Sequence, residues 1–138
     1  MFKKILLATD GSEHSIRSAR SAIELAKKFD GMIDVVYVVN GETSKSDVLH
    51  YGNDLTLAEK RNERIKPVLD LLVESAVQYK VKILHGEPGP TIIKLANEQD
   101  YDCVVLGSRE LNNFQTFILG SVSHKVAKRA ECPVLIVK

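Results

Sequence analysis

The chain has 138 residues, 44% of them hydrophobic and 27% charged, with a net charge of +1. That is the size and balance of one globular domain with a real core, and the near-zero charge argues against nucleic acid held by bulk electrostatics. No run reaches the roughly 20 apolar residues of a membrane helix, and Asp10 cuts the opening apolar run too short for a secretion signal. The two cysteines, Cys103 and Cys132, are too few for a disulfide framework or a zinc site, and read as reduced thiols of a cytoplasmic protein.

In chain order, residues 5–8 form a continuous apolar run, which suits a strand covered on both faces. Thr9-Asp10-Gly11-Ser12 reads as the turn after it, with Ser12 able to cap the next helix. Ile16, Ala19, Ile23, Ala26 and Phe29 recur at helical spacing, and Asp30-Gly31 ends that helix. Residues 35–39 are a β-branched second strand. Strand, helix, strand implies parallel pairing through a right-handed crossover. The polar stretch 41–54 is the candidate mobile segment. A second helix is expected from near Leu55 to Tyr79, with Pro67 either kinking it or marking a new start.

Residues 80–85 alternate polar and apolar, as an edge strand does. Gly86-Glu87-Pro88-Gly89-Pro90 opens a short helix whose apolar face is Ile92, Ile93 and Ala96. Residues 103–106 are the fourth strand. Val122, Val126 and Ala130 share one face of the last helix, and Lys125, Lys128 and Arg129 lie toward its carboxyl end. Pro133-Val134-Leu135-Ile136-Val137 is the last strand. Five strands alternating with four helices give an open, doubly wound α/β domain of the Rossmann-like kind, with a parallel sheet.

Residues 107–123, GSRELNNFQTFILGSVS, follow the fourth strand and lead into the last helix. Strand, glycine turn, loop, second glycine and helix is the layout of a nucleotide-binding loop. Glycine lets backbone come close to a ligand, and a helix start offers unpaired N–H groups to phosphate. The stretch resembles the ATP-binding signature of the universal stress proteins, which is Gly, two residues, Gly, nine residues, Gly, then Ser or Thr. Gly107, Gly120 and Ser121 fill three of the four places, and Glu110 stands where the pattern has glycine. The resemblance runs from the block around Asp10 to the last strand, so it implies a single nucleotide-binding domain over residues 1–138.

The resemblance implies strand order 3-2-1-4-5. Winding then reverses between strands one and four, and ligands bind beyond the carboxyl ends of strands at such a reversal. Asp10 resembles the acidic residue near the ribose or a bound magnesium; its alternative role is to cap the following turn. Val38 resembles the position whose backbone meets adenine, or is plain strand core. Ala8, Thr9 and Leu106 look like neighbours of the base and ribose. Gly107 looks like the close-approach glycine, or serves only a tight turn. Gly120, Ser121, Val122 and Ser123 look like the phosphate cradle, or simply a well-formed helix start. Arg109 either reaches a phosphate or is a solvated loop residue. His14, His50, His85 and His124 have no metal-ligand spacing and read as surface residues.

No phosphate-loop lysine is present, and the first loop lacks the Ser-Gly-Gly of related adenylating enzymes. The expectation is therefore a stress-response regulator that binds ATP, AMP or ADP, with or without magnesium, and has little or no turnover. It is expected to be a homodimer joined through the apolar edge strand 133–137, as the resemblance also implies. The competing expectation is a dimeric protein-interaction module that has lost its nucleotide, and Glu110 is the residue that bears on the choice. At that position a carboxylate about 6 Å from a phosphate costs roughly 3 kcal/mol at an effective dielectric near 20.

Overall fold

The computed structural model describes residues 1–41, 49, 54–108 and 120–138. Its elements are β1 (Lys4–Thr9), α1 (Glu13–Phe29), β2 (Met32–Val39), α2 (Asp54–Ser75), β3 (Tyr79–His85), α3 (Pro88–Glu98), β4 (Cys103–Gly107), α4 (Ser121–Arg129) and β5 (Val134–Val137). The five strands form one parallel sheet in the order β3-β2-β1-β4-β5, as the resemblance implied.

Alternation along the central strands feeds two cores. Ile5, Leu7, Ile33, Val35, Cys103 and Val105 point to one face, where Ala19, Ala22, Ile23 and Ala26 of α1 and Val68 and Leu72 of α2 cover them. Leu6, Val36, Val104 and Leu106 point to the other, against Ile92, Leu95 and Ala96 of α3 and Val126 of α4. Burial of each such leucine or isoleucine contributes about 1.5–3 kcal/mol. This two-sided cover explains why β1 and β4 read as unbroken apolar runs.

Several local expectations need correction. Thr9 is the last residue of β1 rather than part of the turn. Ser12 occupies the N-cap of α1, yet its side chain makes no capping bond; the Asp10 carboxylate takes the Ser12 N–H and the Ser15 hydroxyl instead, each at 2.9 Å. Asp30, not Gly31, adopts the left-handed turn that stops α1, at φ 52°. Gly31 is glycine for space, since a Cβ there would lie 2.5 Å from the Phe2 carbonyl oxygen. Pro67 lies inside one continuous helix, so no second helix starts there. That helix ends at Ser75, and Ala76 turns out at φ 60° so that β3 begins already at Tyr79. The mobility expected for 41–54 falls almost wholly outside the described residues.

Candidate functional site

Beyond the carboxyl ends of β1, β2 and β4 lies a cavity of about 500 Å³. Its position follows from the topology. β1 and β4 are neighbours, but their following helices lie on opposite faces of the sheet, which leaves a crevice between the two connections. Register brings Thr9 level with Tyr37, and Leu7 level with Val105.

Ten sequence-predicted residues meet on this cavity: Ala8, Thr9 and Asp10 at the end of β1, Val38 on β2, Leu106 and Gly107 on β4, and Gly120, Ser121, Val122 and Ser123 at the start of α4. Arg109 and Glu110 lie outside the described residues.

The wall has an apolar part and a polar part. Ala8, Val38 and Val122 pack against the α3–α4 core, and Val36, Ile92 and Leu106 belong to it, so together they make a slot suited to a flat ring. Across from it, the first helical bond of α4 runs from the His124 N–H to the Gly120 carbonyl at 2.9 Å. The N–H groups of Ser121, Val122 and Ser123 therefore have no acceptor within the helix, and they carry its partial positive charge. Ser123 donates its hydroxyl to the Gly107 carbonyl at 3.0 Å, which ties this helix start to the end of β4.

The two glycines differ in their reason for being glycine. At Gly107 a Cβ would lie 2.8 Å from His14 Cβ, 2.9 Å from the His14 carbonyl oxygen and 2.9 Å from Ser18 Oγ, so the residue lets α1 close on β4. At Gly120 a Cβ would meet nothing within 4 Å among the described residues, and the backbone there is extended.

Asp10 takes its capping role at Ser12 and Ser15 and still lines the cavity. It is the only carboxylate on the described wall, and among the described residues no three His, Cys, Asp or Glu side chains cluster as a metal site. A hard cation would therefore draw most of its oxygens from its ligand and from solvent, as magnesium beside phosphates does.

Sequence reasoning missed His14, Ser15, Tyr37, Asn40, Arg64 and Pro88, which also line the cavity. His14 and Ser15 could have been found from their position in the first turn after Asp10. Arg64 carried no such signal. It comes from α2, donates to the Tyr37 hydroxyl at 3.1 Å, and reaches the cavity because Gly11, at φ +82°, lets the β1–α1 turn abut its backbone. A Cβ on Gly11 would lie 2.5 Å from the Arg64 carbonyl oxygen.

The family model for the universal stress proteins matches residues 1–138. The chain belongs to the universal stress protein family. Universal stress protein YxiE of Bacillus subtilis is 34% identical over 148 residues, covering 100% of both chains. Universal stress protein MJ0531 of Methanocaldococcus jannaschii is 33% identical over 141 residues, covering 100% of this chain and 83% of its own. Among solved structures, hypothetical protein MJ0577 superposes with a TM-score of 0.80 at 28% identity, over 100% of this chain and 96% of that one. The universal stress protein from Archaeoglobus fulgidus in complex with dAMP shares the fold, with a TM-score of 0.74 at 24% identity and full coverage of both chains. No helix among the described residues is long and apolar enough to cross a membrane.

Proposed function

We propose that this universal stress protein binds an adenine nucleotide, ATP foremost, in the cavity at the carboxyl end of its sheet. One observation carries the reading: a single cavity of about 500 Å³ joins an apolar slot to an open helix start, across the reversal between β1 and β4. A volume in the range of about 300–1,000 Å³ is usual for small-molecule sites. In this reading the base lies in the slot beside Val38, the ribose near Thr9 and Asp10, and the phosphates at Gly120, Ser121, Val122 and Ser123. Asp10 supplies one carboxylate to a magnesium ion that the phosphates share. The fold neighbour from Archaeoglobus fulgidus is a dAMP complex, and another universal stress protein of this fold is a cAMP complex; at 24% identity these likenesses carry the fold, and the support for this chain is its own cavity.

The chain acts as a regulator whose state follows nucleotide occupancy, with little or no hydrolysis, in the cytoplasm. It works as a homodimer through β5, an edge strand whose Leu135 is 38% exposed beside a groove lined by Ser21, Glu24, Leu25 and Lys28 of α1. Denaturing the purified protein and separating the released small molecules tests the main reading, with ATP or AMP expected in near-equal proportion to protein. A protein that releases none, and takes up none in calorimetry, is the interaction module instead. Light scattering at micromolar concentration tests the dimer, and Leu135→Asp is expected to shift it to monomer.

A further inference from the structure

We infer that His14 is a ligand-contacting residue of this cavity, donating from Nε2 to a nucleotide phosphate, and that Arg17 is the positioning residue that fixes its tautomer. The inference rests on the nucleotide reading above and extends it to residues outside the family signature.

The argument begins at Gly107. Because that residue has no side chain, the first turn of α1 packs directly on the end of β4. His14 is thereby held against the same residue whose carbonyl accepts the Ser123 hydroxyl. His14 thus lines the cavity in the crevice between β1 and β4, as the start of α4 does. Its carbonyl is pinned by Ser18 Oγ at 2.7 Å, which fixes the backbone from which the ring projects.

The protonation pattern follows from the ring's partner. Arg17 Nη2 lies 2.6 Å from His14 Nδ1. A guanidinium has donors only, so Nδ1 is the acceptor and the proton of the neutral imidazole is on Nε2. Nε2 has no acceptor among the described residues, while His14 lines the cavity. An N–H donor with no acceptor among the described residues thus lines the same cavity as the N–H groups of Ser121, Val122 and Ser123, and a phosphate oxygen is the group that such donors take. Arg17 is itself anchored, since its Nε donates to the Lys138 carbonyl at 3.2 Å, just beyond β5. The donor in the cavity is thus oriented from the edge strand.

Calorimetry with ATP and with adenosine, on the wild type and on His14→Phe, tests the contact. His14→Phe is expected to weaken ATP by about tenfold or more, the usual worth of a hydrogen bond to a charged group, and adenosine by less than about twofold. His14→Gln, whose amide N–H extends similarly, is expected to recover part of the loss. Equal losses for ATP and adenosine, or none for ATP, overturn the phosphate contact. If the wild type binds neither ligand, the nucleotide reading itself is overturned. The tautomer is tested independently by nitrogen-15 NMR of His14, expected to show Nε2 protonated in the wild type and a tautomer mixture in Arg17→Met. A proton on Nδ1 in the wild type, or a spectrum unchanged in Arg17→Met, overturns the role of Arg17.

Discussion

The amino end of the sheet and its carboxyl end are both polar, and they spend their polar groups differently. At the amino end Asp34, only 3% exposed, accepts the Tyr101 hydroxyl at 2.6 Å and an ion pair from Lys82 at 3.5 Å. Lys82 also donates to Gln99 and to Tyr101, Lys4 lies 4.5 Å over the Tyr101 ring, and Asp102 takes the backbone N–H groups of Lys3 and Lys4. Burial first, then the hydrogen bond from its hydroxyl to Asp34, keeps the Tyr101 phenol protonated far above its usual range. At the carboxyl end the helix start of α4, His14 and Gly120 line the cavity. Groups that satisfy one another tie strands together, whereas donors left without protein acceptors are available to a ligand. Asp34 stands level with Leu6, two residues or about 7 Å along β2 before Val36 of the cavity wall, so the two groups lie at different levels of the sheet.

The sharpest break of this contrast is Gly120→Phe. The new side chain meets no described residue at an unstrained backbone, so thermal stability is expected to hold while ATP affinity falls at least about a hundredfold, roughly 2.8 kcal/mol. Unchanged affinity in calorimetry would show that the phosphates lie elsewhere. The converse variant is Asp34→Ala. It leaves the Tyr101 hydroxyl proton without its acceptor, though Lys82 still donates to that oxygen, and removes an ion-pair partner of Lys82, at an expected cost of about 2.5 kcal/mol in denaturant unfolding, with ATP affinity within about twofold of wild type. A large change in affinity would mean that the two ends are coupled.

Gly107→Ala is expected to move both readouts, because the packing it serves also positions His14. The methyl group must displace the α1 backbone, which costs about 2 kcal/mol of stability and weakens ATP several-fold. Loss of stability alone would separate the packing from the site. The smallest effect concerns Cys103 at the amino end, whose thiol is pushed up from 9.0 to about 11, chiefly by burial and then by the charge of Cys132. The unfolded chain loses this proton near pH 9 while the folded chain keeps it to about pH 11. Its contribution is complete below pH 9 and falls as pH rises through that window, by at most about 1.4 kcal/mol per pH unit. Cys103→Ala is expected to flatten the stability curve between those pH values, and an unchanged slope would assign the titration to other groups.

The sheet was legible in the chain because its central strands are buried on both faces. Residues 5–8 and 103–106 had to be apolar throughout, and runs of that kind between helical periods leave few alternatives. The ends of elements were less legible. Ser75 and Ala76 carry no strong stop signal, so the helical period ran on to Tyr79, and Pro67 left a kink or a new start open where the helix continues through it. A capping serine was read at Ser12 where a neighbouring carboxylate does the work, because side-chain choice among nearby acceptors is settled by geometry and not by residue type.

The sequence by itself determined the alternation of elements, the turn after β1 and the helix start at Gly120, since each is a local property of a few adjacent residues. Only the tertiary structure decided that Arg64 and Tyr37 share the cavity, that Gly107 is glycine for the sake of α1, and that Arg17 orients His14 while bonding to the carbonyl of Lys138. Those contacts join residues far apart in the chain, or depend on which rotamer a packed helix leaves available. Periodicity and spacing report which side of an element is buried, whereas what a side chain touches there is fixed by the neighbouring element that the fold brings against it.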